Sequence, residues 1–189
     1  MKYGDEEIAT LLNQHKKGIY GDLENGLYIK EELFHFRRIS LCSNGFSMMV
    51  PLRLQPPDDN FIKTVYREEC PSEVFCHPRR NMVLQITVLD NFEDCISVSD
   101  FLDITYQSIQ KLKTGIVVYM KDEMKINDIE IAWLDYKLMA FDTCLYNMYV
   151  IMDIKKVKYQ LVFQCSIYEG LHWREVIKLM LSSIEVNVN

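Results

Sequence analysis

Two cysteine–histidine neighbours are places where nucleophilic chemistry could be assembled: Cys165 with His172, and Cys76 with His77. A thiol beside an imidazole can give up its proton and attack a carbonyl, provided a third group orients the ring. No third group is indicated for either pair, and neighbours in a chain rarely have the needed geometry. Cys70, Cys76 and His77 in "CPSEVFCH" hint at a metal site. Their spacing fits no zinc pattern and a fourth ligand is not in view, so the segment reads as a loop and no metal is expected. Carboxylates are plentiful, but Asp90, Asp94, Asp128 and Asp142 fall at predicted turns, where aspartate favours the backbone. Asp135 lies inside a predicted strand and is expected either to face solvent or to pair with a basic group. Neither GxxxxGK[ST] nor GxGxxG occurs, so no phosphate loop is present in the sequence and no cofactor is expected. No catalytic residue is assigned.

The run "HWRE", His172 to Glu175, could pass for the edge of an active site. Its context argues for a helix instead. Trp173, Val176, Ile177, Met180, Leu181 and Ile184 are spaced three, one, three, one, three, which is a single helical stripe. His172, Arg174, Glu175, Lys178, Ser182 and Ser183 fall outside it. Upstream, "VKYQLVFQCS" alternates with a period of two: Val157, Tyr159, Leu161, Phe163 and Cys165 on one face, Lys158, Gln160, Val162, Gln164 and Ser166 on the other. One apolar and one mixed face suit an antiparallel sheet fully covered on one side only. The closing helix is expected on the apolar side.

The remaining elements follow from the same signals. Ile8, Leu11, Leu12 and His15 suggest a short first helix, with Asp5–Glu7 at its start and Lys16–Lys17 at its end. Residues 18–32 hold three glycines and an Asn25-Gly26 turn, a linker or small hairpin. "LFHFRRISLC" and "GFSMMVP" predict strands joined at Ser43-Asn44-Gly45. Residues 52–81 read as irregular, with one helical turn near Phe61 to Tyr66. "MVLQITVLD" predicts a strand. Ser97 and Asp100 then open a helix whose face is Val98, Phe101, Leu102, Thr105, Ile109 and Leu112. A meander follows, with turns expected at Asp122-Glu123, near Phe141-Asp142 and at Lys155-Lys156. The order predicts an α+β fold: an antiparallel sheet flanked by helices in an α/β/α sandwich, with a short N-terminal helical extension. Domain boundaries are placed at 1–32 for the helix and linker and 33–189 for the main domain.

Composition narrows the function classes. With 49% hydrophobic and 25% charged residues, the 189-residue chain can bury a core as one domain. A net charge of −6 with scattered basic pairs gives no basic stripe, so nucleic acid is not an expected partner. No signal-like or membrane-spanning apolar run is seen, and the expectation is a cytoplasmic protein without membrane partners. The six cysteines, several inside apolar runs, are expected as reduced thiols. Eleven Tyr, nine Phe and ten Met are present, with Met48, Met49, Met139, Met148 and Met152 in or beside strands. They either fill the core or form an adaptable binding surface.

The segment from Trp133 to Val186 resembles the DcrB-like families that share the fold of the photosystem protein PsbP and the Mog-type Ran-binding proteins. Three features carry the likeness: a Trp/Asp/Tyr strand leading to Asp142 and "LYNMYV", a hairpin into a strand ending "FQC", and a closing helix with Trp near its start and "MLSSI" at its end. "GFSMMVP" and the Ser97–Leu112 helix fall where the families have a strand and a helix. The resemblance covers roughly residues 33–186 and implies a mostly non-catalytic, protein-binding fold. Similar bacterial proteins accompany effectors of contractile secretion systems as chaperones, usually as homodimers, with the sheet cradling apolar helices. On that reading the partner is an apolar effector segment, and Gln85, Thr87, Gln160 and Gln164 are the candidate partner-binding residues. The alternatives are a structural or regulatory interaction module with a folded partner, or a hydrolase with an unrecognised Cys or carboxylate site.

Overall fold

The computed structural model of the protein describes residues 18–66, 70–89, 96–111, 115–140 and 143–186. The expected first helix, Asp90, Asp94, Cys95, Leu112 and the turn at Phe141-Asp142 lie outside them.

The chain opens with a three-stranded antiparallel meander: β1 (Ile19–Asp22), β2 (Gly26–Ile29) and β3 (Glu32–Phe34). The boundary drawn between Glu32 and Leu33 falls inside β3, and Ile19, Leu27, Ile29 and Phe34 are buried in the main core. A hairpin of β4 (Phe36–Leu41) and β5 (Phe46–Pro51) follows, with its turn at the predicted Ser43-Asn44-Gly45. The stretch predicted to be irregular holds the helical turn expected near Phe61 to Tyr66 and, beyond it, a strand. Helix α1 (Asp59–Val65) is capped by the Asp58 carboxylate, which accepts from Phe61 N at 2.7 Å. Strand β6 (Glu73–Cys76) escaped prediction because four residues are too few to show alternation.

The rest builds the six-stranded antiparallel sheet, in the order β6-β7-β11-β10-β9-β8. Its members are β6, β7 (Val83–Leu89), β8 (Ile116–Ile126), β9 (Ile129–Ala140), β10 (Thr143–Ile154) and β11 (Val157–Ser166). The turn expected at Asp122-Glu123 is not there. Strand β8 runs on to Ile126 and reverses at Asn127-Asp128. The charged stretch from Lys121 to Lys125 mimics a loop because β8 is an edge strand, where polar side chains are tolerated on both faces. The Lys155-Lys156 turn is where the sequence puts it, with both residues at positive φ (52° and 67°). That is the type I′ geometry of a two-residue hairpin.

Helix α2 (Val98–Lys111) lies on one face of this sheet, with its start capped as expected. Ser97 Oγ accepts from Asp100 N at 3.0 Å and donates to the Asp100 carboxylate at 2.8 Å. Val98 and Leu102 are buried against Ala132, Leu134 and Ile151 of β9 and β10. On the opposite face lie helix α3 (Ile167–Ser182), both three-stranded sheets and most of the core. The second small sheet has the order β12-β5-β4, where β12 is Glu185–Val186. Every residue of the predicted stripe from Trp173 to Ile184 is buried. Helix α3 starts at Ile167, five residues before the predicted His172. Gly170 lies in its first turn. A Cβ there would stand 2.3 Å from Tyr146 Cγ, so glycine is what lets the helix lie flat on that ring.

Met48, Met49, Met148 and Met152 are buried, and Met139 is exposed. The methionines therefore serve mainly as core filling. The structure has the expected α+β architecture: an antiparallel sheet with helices on both faces.

Candidate functional site

The four predicted partner-binding residues fall together on the six-stranded sheet. Gln85 and Thr87 come from β7 and Gln160 and Gln164 from β11, with Gln160 opposite Thr87 and Val162 opposite Gln85. Because Leu161, Phe163 and Cys165 point into the α3 side of the core, the intervening glutamines point to the α2 side. Helix α2 packs over β8, β9 and β10. The four residues lie to the side of it and are half-buried. Two of them already have partners: Tyr149 Oη donates to Gln160 Oε1 at 3.2 Å, and Tyr66 and Gln85 are joined by a side-chain hydrogen bond. Burial pushes the Tyr149 phenol up to about 12, so it stays a donor at neutral pH. Sequence reasoning missed Asn147, which sits opposite Gln164 on this face. It is buried, and among the described residues its Nδ2 has no hydrogen-bond partner. The signal was present in "LYNMYV", a polar residue alternating into an apolar strand.

Burial raises the thiols of both candidate nucleophiles. Cys165 is fully buried, and burial followed by the nearby Glu169 charge pushes its thiol far up. Its Sγ makes a weak contact with the Ser166 carbonyl at 3.4 Å, not with a histidine. Burial also raises Cys76, and burial with Glu73 takes Cys42 up to about 12. His77 Nδ1 accepts from Arg79 N at 3.1 Å. His77 is held below its ordinary 6.5 by burial, then by Arg80 and Arg53; His172 is held below it by burial, then by Lys30. Among the described residues no group of three or more His, Cys, Asp or Glu side chains could hold a metal ion. The described cysteines are free thiols.

Asp135, the strand carboxylate, takes the second of its two expected roles. It faces the α3 side, fully buried, and pairs with Arg174 of the helix. Tyr146 Oη also donates to it at 2.8 Å. Arg174 thus belongs to a buried structural pair that locks α3 to β9, and "HWRE" lies within the helix, as its spacing predicts.

A concavity of about 480 Å³ lies between the first small sheet and the start of α3. Phe34 and Trp173 form its aromatic wall, in edge-on contact at 5.2 Å between centroids. Arg80 lies over the Phe34 ring at 5.3 Å and pairs with both Glu32 and Glu169. His172 lines the same cleft, and its Nδ1 is buried without a partner among the described residues. These residues lie far apart in the chain, so no sequence motif announces them.

The backbone arrangement connects the chain with proteins of known structure. No family model matches the sequence, and no curated protein matches it. The solution structure of cyanobacterial PsbP (CyanoP) from Synechocystis sp. PCC 6803 aligns with a TM-score of 0.61 over 80% of this chain and 92% of that one, at 12% identity. The chain has the PsbP fold. The crystal structure of PA94, a Pseudomonas aeruginosa protein of unknown function, aligns with a TM-score of 0.52 over 82% and 99% of the two chains, also at 12% identity. At such identities the likeness is one of architecture alone. Among the described residues no helix is long and apolar enough to cross a membrane.

Proposed function

We propose that this chain is a non-enzymatic protein-binding domain, a chaperone or adaptor that holds an apolar segment of an effector of a bacterial contractile secretion system. The observation that carries the reading is the strip of sheet beside α2. Gln85, Thr87, Gln160 and Gln164 lie there with Val83 and Val162 among them, half-buried, and beside them the buried Asn147 has a donor without a partner among the described residues. An apolar segment leaving water must still satisfy its backbone groups. Uncharged amides on an otherwise apolar surface offer donors and acceptors without the desolvation cost of a charge. The raised thiols of Cys165 and Cys76 favour a binding role over a hydrolytic one.

A second reading, an interaction module for a folded partner, draws on the β8 edge. Val117, Tyr119, Met120 and the neighbouring Met139 are exposed there, and an unpaired strand edge is a template for strand addition. The test is affinity capture from the native source with tagged protein, run beside the variant Gln160→Lys/Gln164→Lys. Recovery of one stoichiometric protein with an apolar segment, lost with the variant while its melting temperature holds, is the expected result. Equal recovery by both proteins would remove the strip from the binding role and leave the β8 edge.

A further inference from the structure

We propose that Asn25 is a site of spontaneous deamidation, and that the Asp22 carboxylate holds it closed to that reaction while the β1–β2 hairpin is folded. The site belongs to the first small sheet and makes no use of the glutamine strip.

The sequence contains two Asn-Gly pairs, Asn25-Gly26 and Asn44-Gly45, both at hairpin turns. In such a pair the glycine nitrogen reaches the asparagine Cγ with no Cβ in the way. It bonds to Cγ and closes a cyclic succinimide, and the side-chain nitrogen leaves as ammonia. Water then opens the ring at either carbonyl and gives aspartate or isoaspartate. The net change is hydrolysis of a side-chain amide to a carboxylate, with no change of oxidation state. Asn25 is exposed, so water reaches it.

Both glycines are held in place by the fold. Gly26 has a φ of 117°, and a Cβ there would stand 2.9 Å from Leu33 Cδ1. A Cβ on Gly45 would stand 2.5 Å from Tyr159 Oη. The labile pairs therefore stay, and hydrogen bonds restrain them at different atoms. At Asn44-Gly45 the nucleophile is engaged: Gly45 N donates to the Cys42 carbonyl at 3.1 Å. At Asn25-Gly26 the electrophile is engaged. Asn25 Nδ2 donates to Asp22 Oδ1 at 3.2 Å and to Oδ2 at 3.0 Å, and Asn25 N donates to Oδ1 at 2.7 Å. These bonds hold the carboxamide back towards β1. Ring closure needs its face turned to Gly26 N, which breaks them. An anionic acceptor on the amide N–H also feeds electron density into the amide and makes Cγ a poorer electrophile. Asn25 in turn keeps the Asp22 carboxyl below its ordinary range, through the side-chain bond first and the backbone bond second, so the anion persists at neutral pH.

Conversion undoes the arrangement that restrained it. The product replaces the Nδ2 donor with a second carboxylate facing Asp22, and isoaspartate adds a backbone methylene at the turn that sets the β1–β2 register. Ile19, Leu27 and Ile29 are buried in that register.

The experiment ages the intact chain in mildly alkaline buffer and follows conversion by mass spectrometry in tryptic peptides 18–30 and 39–53, each of which contains one pair. It compares the parent with Asp22→Ala and Asp22→Asn, each in buffer and in urea. In buffer, Asn25 should convert slowly in the parent and about tenfold faster in Asp22→Ala, which loses hydrogen bonds to a charged acceptor. Asp22→Asn keeps an oxygen, loses the charge and should fall between. Asn44 should keep its parent rate in both variants, which also reports that the fold is intact. In urea the rates should converge. The proposal is overturned if Asn25 converts as fast in the folded parent as in urea, or if Asp22→Ala leaves its rate unchanged. Equal acceleration of Asn25 and Asn44 also overturns it, because the fold as a whole, not the carboxylate, is then the restraint.

Discussion

Arg174→Leu is the sharpest probe of how α3 is held. In the native protein the Asp135 carboxylate is 0% exposed, and it is met by the Arg174 guanidinium and the Tyr146 hydroxyl. Leucine keeps the aliphatic bulk and removes the charge. Asp135 is then a buried carboxylate with one neutral donor at 2.8 Å. Breaking a buried pair by removing one partner costs about 3–5 kcal/mol. The Arg174 side chain retains 17% exposure, so water reaches the site from that side, and the lower end, about 3 kcal/mol, applies. Against a total stability of about 5–15 kcal/mol this is a large loss. Urea unfolding followed by tryptophan fluorescence reads it directly, since Trp133 and Trp173 are both buried in the same core. Replacing both partners, Asp135→Leu/Arg174→Leu, removes the stranded charge and should recover most of the loss. If Arg174→Leu costs less than about 1 kcal/mol, the pair behaves as a surface ion pair and the reasoning is refuted.

Two further outcomes follow from the structure. The Lys155-Lys156 turn holds both residues at positive φ, so Lys155→Asn/Lys156→Gly should stabilise the protein by about 1 kcal/mol; an unchanged urea midpoint would contradict the type I′ assignment. His77 and His172 are both held below 6.5 in the folded protein, so below that pH the unfolded chain binds more protons than the native one. Their contribution is complete above 6.5 and is lost as pH falls from 6.5 through the folded values. Urea midpoints taken between about pH 8 and about pH 5 should decline over the lower part of that range, and His77→Gln/His172→Gln should flatten the decline. A decline just as steep in the double variant would assign it to other groups.

The elements legible in the sequence were those whose signal is periodic and long. The α3 stripe, the alternation of β11 and the cap of α2 each repeat one local rule over several residues, and the structure obeys them. Errors came where tertiary contacts override local preference. Gly170 lies inside the first turn of α3, ahead of the start expected at His172, and is a contact point with Tyr146. The charges of β8 look like a turn and belong to an exposed edge. Strand β6 exists because β7 pairs with it, not because of its own composition.

The candidate sites divide along the same line. Sequence alternation alone placed Gln160 and Gln164 on one face of their strand, and Gln85 and Thr87 on one face of theirs. That the two strands are neighbours, in a register that sets Gln160 opposite Thr87, is a property of the folded sheet. The partner of Asp135 lies thirty-nine residues away on another element, and the cleft around Arg80 draws on β3, the loop before β7 and α3. Local sequence determines periodicity, caps and turns because those depend on neighbours within a helical turn or a strand repeat. Which charge is buried with which, and which faces stay open, depends on packing between distant segments, and only the tertiary structure decides it.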